Sequence, residues 1–296
     1  MKSGGNPDLV SNLNQPWDPQ FPTRSPLFEP LNAIASGLVQ YAAWPRLQDY
    51  QQLLQATGKK ISNQYGIPIQ FVPQGQKPLH FSEKYEPKIF LTGEVQTRTE
   101  NWHDLFNALV WLAFPNTKAI INARHYAAFK QRVETEQREK NRPKIQDTIT
   151  LFDESGVIVA YADDNLAQLL KNFQWKALFW EKRQAIPAGM KLFIFGHSLY
   201  EKALQPYTGM TGKGLIVKVN TQFFAKSIDE QVTELDAKVA DLLSDNSRLT
   251  SPQDLAPVPL LGMPGWTAEN EVEDYYDNTH YFRPGRMQSM KPADQT

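Results

Sequence analysis

The residues able to do chemistry in this chain fall in three short stretches. NWHDLFNALVW (101–111) sets His103 beside Asp104 at the start of an apolar run, with Asn107 one helical turn beyond the histidine. NTKAIINARHYAAF (116–129) puts His125 three residues after Asn122, so the two neighbour each other on a helix surface. FGHSLYEKAL (195–204) holds His197 and Glu201 four residues apart, a spacing that lets two side chains of one helix meet one ion. Imidazole and carboxylate are the ligands that suit a divalent metal in a protein without thiols, and this chain has no cysteine. The same absence removes disulfides, thiolate nucleophiles and cysteine-type zinc sites.

Two functional readings follow. In the first, the chain is a hydrolase-like or metal-assisted enzyme. Its catalytic candidates are His103, Asp104 and His125, its metal candidates are His103, His125, His197 and Glu201, and a metal-bound water is the nucleophile. The cofactor would then be a divalent metal. In the second, the chain is a non-enzymatic binding or interaction domain and the same residues are helix caps and core polar contacts. Asn101 has the chemistry of an N-cap, with Asp104 at the third helical position. Ser198 and Glu201 form an S-x-x-E capping box, which would leave His197 outside the helix and occupy Glu201 with a backbone amide. Asp153 to Gly156, within FDESG, has the residue order of a type I turn. TGMTGKG (208–214) lacks the spacing of a phosphate loop and reads as a flexible turn. No G-x-S-x-G and no H-E-x-x-H occurs.

Charge and composition narrow the partners. Lys plus Arg number 31 and Asp plus Glu 32, a net charge of -1, so no global field draws in nucleic acid or an anionic membrane. No run of about 18 apolar residues and no signal peptide is evident, and a cytoplasmic location is expected. With 41% hydrophobic and 11% aromatic residues the chain can fill a core by itself.

The elements that must position these residues are legible in outline. Helices are expected over Leu31 to Tyr41, Leu47 to Ala56, Trp102 to Phe114, Thr117 to about Lys140, 165–172, 175–182, from GHSLYEKAL, and over Asp229 to Leu243. Pro115 divides the central pair and EKNRPK follows as a charged exit. IPIQFVP (67–73), KIFLTGEV (88–95), KLFIF (191–195) and LIVKV (215–219) read as strands, and TITLFDESGVIVAYADD (148–164) as a hairpin. The chain beyond Pro252 is too rich in Pro and Gly for regular structure, but Pro264 to Arg283 carries enough aromatic residues to lie on the globule as an ordered strap, its acids facing the basic segment 124–144. The expected architecture is a single α+β domain, residues 17–286. A small mixed or antiparallel sheet, its strands near 69, 89, 149, 157, 192 and 216, is covered by helices, with irregular aromatic-rich N- and C-terminal arms. Flexible ends are expected at 1–16 and 287–296.

NWHDLFNALVWLAFPNTKAIINARH, TLFDESGVIVA, FGHSLYEKAL and PGWTAENEVEDYYDNTHYFRP together resemble the bacterial family known as domain of unknown function 3025, from about Trp17 to Arg286. The resemblance implies one domain throughout and brings no catalytic residue with it.

Overall fold

Gly156 ends a helix and begins a strand with no turn between them. The helix α6 (Lys144–Ser155) buries Thr148, Ile149, Phe152 and Asp153, the three- and four-residue spacing of a helical stripe, and runs directly into β3 (Gly156–Tyr161). The hairpin expected over 148–164 is therefore absent: Phe152 to Ser155 are the last turn of a helix and Gly156 is the first residue of the strand. Gly156 is not among the glycines with positive φ. What the position requires is space, because a Cβ there would lie 2.3 Å from the Phe152 carbonyl oxygen.

A computed structural model describes residues 15–134 and 144–285. The end of the central helix near Lys140, its charged exit, and almost all of the two ends expected to be flexible lie outside the described residues. After a run of 3-10 turns around α1 (Asn32–Ala35) come α2 (Leu47–Ala56), β1 (Gln70–Pro73), α3 (Tyr85–Thr92), β2 (Glu94–Thr97), α4 (Trp102–Ala113) and α5 (Pro115–Glu134). Beyond β3 follow α7 (Asp164–Lys171), a π-helical turn (Ala177–Glu181), α8 (Ile186–Gly189), β4 (Met190–Ile194), α9 (His197–Ala203), β5 (Thr211–Lys218), α10 (Ile228–Ser244) and β6 (Ala256–Pro259). Among the described residues no helix is long and apolar enough to cross a membrane.

The domain is α+β, as expected, but with two sheets. β1 and β2 form a parallel pair, and the main sheet runs β4-β3-β5-β6, with β3 and β5 parallel and the two outer pairings antiparallel. Of the strands expected, that near 149 is helix. The one near 89 is helix as far as Thr92, where Gly93 at φ 75° makes a left-handed C-cap and the strand starts at Glu94. Thr211 to Gly214, expected as a loose turn, already belong to β5. Pro257 and Pro259 pair from the edge strand β6, the one place in a sheet where missing N–H groups cost little. The helix expected over Leu31 to Tyr41 is instead α1 between 3-10 turns.

Both arms are built on aromatics. Trp17 stacks on Trp102 with ring centroids 5.3 Å apart, Phe21 meets Phe106 edge-on at 5.4 Å, and Phe28 lies parallel to Tyr200 at 6.0 Å. The N-terminal arm thus packs on α4 and α9, the helices that carry His103 and His197. At the other end Tyr276, Tyr281 and Phe282 are buried, and the Tyr281 hydroxyl donates to the Met210 carbonyl while accepting from the Leu261 N–H. Among the described residues the strap's acids pair with Lys176 and Arg183, while much of the basic segment expected to face them lies outside the described residues.

Because the Phe152 carbonyl and ring cannot both withdraw from a new methyl group, Gly156→Ala is expected to destabilise the protein by about 2 kcal/mol or more, as overpacking does. Chemical denaturation measures this, and an unchanged midpoint would show that the helix-to-strand junction yields freely.

Candidate functional site

Five helices converge on one polar cluster. Asn101, in extended conformation, caps α4 by accepting the Asp104 N–H at 3.0 Å, which sends His103 and Asn107 down the face of the helix that meets α9. Pro115 opens α5, and its first free amides are capped from a distance: Asp236 of α10 accepts from the Asn116 and Thr117 N–H groups at 3.0 and 2.8 Å. That anchor fixes the rotation of α5, whose buried stripe carries Lys118, Ile121, Asn122 and His125. Asp153 comes from the end of α6, His197 and Glu201 from α9, and Tyr85 from α3.

The cluster is a chain of short contacts. The Lys118 ammonium donates to Asp153 Oδ1 at 2.7 Å and to Asn107 Oδ1 at 3.0 Å, and the Asn107 amide donates in turn to the Tyr85 hydroxyl at 2.6 Å. Asp153 Oδ2 lies 3.8 Å from His197 Nδ1, a contact too long for a hydrogen bond. The two histidines then meet edge to face, Nε2 to Nε2 at 3.1 Å. On the far side of the His103 ring, Nδ1 faces Glu201 Oε2 at 3.3 Å and Ser198 Oγ at 3.5 Å.

Protonation in this chain follows from burial. Desolvation pushes His197 down to about 3, outweighing the pull of the Asp153 carboxylate, so its ring is neutral. Burial alone would raise Asp153, but the Lys118 ammonium and its hydrogen bond outweigh it and hold the carboxyl below its ordinary range. A neutral His197 beside an anionic Asp153 places its one ring proton best on Nδ1, toward the carboxylate. In that tautomer Nε2 is a bare acceptor and the single proton in the 3.1 Å contact is supplied by His103; with the His197 proton on Nε2 instead, His103 accepts there and its own Nδ1–H is directed at Glu201.

Two cavities meet at His103. The larger, about 360 Å3, is lined by His103, Asp104, Asn107, His125, Asp153 and His197 among others; the smaller, about 190 Å3, is lined by His103, Glu201, Arg98 and Gln15 with their neighbours. Ser198 lines neither.

The candidates named from sequence are thus partly gathered. His103, His197 and Glu201 come together. Asp104 is spent on Arg98, which grips it through Nε and a terminal nitrogen at 3.0 and 2.8 Å. His125 lines the larger cavity but joins no link of the chain. As a four-ligand metal set they do not converge, since Glu201 and His197 address opposite nitrogens of the His103 ring. Among the described residues no three His, Asp or Glu side chains are grouped to hold a metal ion. The capping box is not formed either: Gly196 is the N-cap, His197 is inside the helix, and Glu201 is turned to His103. Lys118 and Asp153 were missed as site residues. The available signal was a lysine on the helical stripe of Ile121, Asn122 and His125, a position that demands a partner.

The family model described as "Protein of unknown function (DUF3025)" matches residues 69–286, and the chain belongs to that family. No curated protein and no solved structure matches it.

Keeping His197 neutral makes stability depend on pH. Its folded value lies below the unfolded value of about 6.5, so the unfolded chain takes up the proton first; the contribution is full above about pH 6.5 and is lost as the pH falls toward about 3. Asp153, lowered in the fold, acts in the same direction below about pH 4. Between about pH 7 and pH 5 the loss from His197 should reach up to about 2 kcal/mol in denaturant titrations, and His197→Gln should flatten it; an equal slope in the variant would count against a buried neutral ring. Lys118→Met, which strands Asp153, should cost about 3–5 kcal/mol.

Proposed function

We propose that this chain is a hydrolase-like enzyme working by general acid–base catalysis, with His103 as the group that takes and returns the proton. The observation that supports this is the Nε2-to-Nε2 contact of 3.1 Å with a carboxylate behind each ring. His197 is held neutral and offers a lone pair, so it orients His103 and keeps one of its protons in place, a positioning role like that of the carboxylate in a serine hydrolase triad. His103 has 34% of its side chain exposed and borders both cavities. Its Nδ1 is the exchangeable position, because Glu201 and Ser198 both stand at the outer limit of hydrogen-bond reach. A water or a substrate hydroxyl can displace either one and give its proton to the ring, and Glu201 then stabilises the imidazolium. The nucleophile in this reading is water.

A metal-assisted version has one observation in its favour. Two imidazole nitrogens 3.1 Å apart, each ring backed by a carboxylate on its other nitrogen, resemble half of a zinc site with its outer shell. The remaining ligands would be water and substrate.

The test is turnover of small ester, amide and phosphoester substrates by wild type, His103→Gln and Ser198→Ala, beside a zinc titration. His103→Gln is expected to lower kcat by about 100-fold or more at unchanged melting temperature, whereas Ser198→Ala should retain it. Turnover that survives His103→Gln would sink the acid–base reading. Binding of about one zinc, lost in both His103→Ala and His197→Ala, would favour the metal-assisted one. With neither turnover nor zinc binding, the non-enzymatic alternative takes over.

A further inference from the structure

The larger cavity has an excess of carboxylate that its own walls do not answer. Arg98 is occupied by Asp104, and Asp153 by Lys118. Glu86 is held by a neutral donor, the Asn122 amide, at 2.6 Å. Glu154 is exposed, lines the cavity, and has no partner among the described residues. Among the described residues, the exposed Lys84 is the one uncommitted cation that stands against these two carboxylates. The acids are also placed against the helix field. Asp153 and Glu154 both sit in the last turn of α6, which has no basic residue, at the end where the helix dipole is negative and favours a cation.

Two further observations call for a ligand. His125 is 3% exposed and lines the cavity, and its buried Nδ1 has no hydrogen-bond partner among the described residues, a costly state that an N–H donor would relieve. Tyr85 and Phe129 add aromatic walls beside the carboxylates, the surroundings that bind alkylammonium and guanidinium groups. At about 360 Å3 the space is near the lower end of the range for ligand sites, so the molecule is small.

We propose that this cavity binds a small organic cation, an amine or guanidine, with Glu154 and Glu86 answering its charge and His125 accepting one of its N–H groups. The proposal deepens the acid–base reading and rests on it for one point only: the cation places the scissile part of the substrate beside His103.

The experiment is calorimetry and histidine NMR on the full chain with methylguanidinium, its neutral isostere methylurea, and acetate. Saturable binding of methylguanidinium alone, with the His125 resonances shifting, is expected. Glu154→Gln, an exposed position that leaves the core untouched, should weaken it by about tenfold or more, and Glu86→Gln should also weaken it. Equal binding of methylurea, preferential binding of acetate, or an unaltered affinity in Glu154→Gln overturns the proposal, as does displacement of methylguanidinium by equimolar Mg2+. Because Glu154→Gln leaves His103, His197 and Glu201 in place, the shared proton of the histidine pair can be followed in the same variant. Loss of cation binding is thereby separable from failure of the acid–base reading.

Discussion

The site depends on a place where two backbones touch. The Gly156 carbonyl accepts from the Phe195 and Gly196 N–H groups at 3.0 and 2.9 Å, and a Cβ on Gly196 would lie 2.4 Å from the Glu154 carbonyl oxygen. Neither position has room for a side chain. This contact locks the end of α6 to the start of α9, and so sets Asp153 against His197. Everything polar in the cluster is then placed by elements leaving that junction. β3 and β4 run away from it as an antiparallel pair that buries nearly all of its side chains, so the junction is backed by the most deeply buried part of the sheet.

Burying an ammonium and a carboxylate beside this junction is poor economy if stability is the only aim. Lys118 and Asp153 have 5% and 12% of their side chains exposed, and desolvation offsets most of what two such charges gain from each other. An apolar pair of the same size would hold the helices together as well. What an apolar pair cannot do is keep a charge beside His197 that biases where its ring proton sits. The pair acts through that ring on His103, with His197 alone standing between them.

Much of this was legible in the residues and some was not, for identifiable reasons. The central helices were legible because Asn101 and Pro115 are local signals, and α10 because its periodicity is long. α6 was misread because its β-branched residues suggested strand, while its true signal, the stripe through Thr148, Ile149 and Phe152, runs up to a glycine that looked like a turn. The capping box at Ser198 was chemically sound, but His103, nearly a hundred residues earlier, competes for Glu201 and wins. Local rules fail there because the deciding partner is remote. Lys118 shows the same limit, since a buried lysine announces that a counter-charge exists without saying where.

The distance along the chain between the partners also bears on synthesis. Lys118 precedes Asp153 by 35 residues, and His103 precedes His197 by 94. Until α6 has left the ribosome, α5 holds an uncompensated ammonium on the face it must bury, and docking it costs several kcal/mol. Burial of the Lys118 face of α5 is therefore opposed until Asp153 has been made. The closing of the α4 and α5 pair is thus tied to a carboxylate that is synthesised later than either helix.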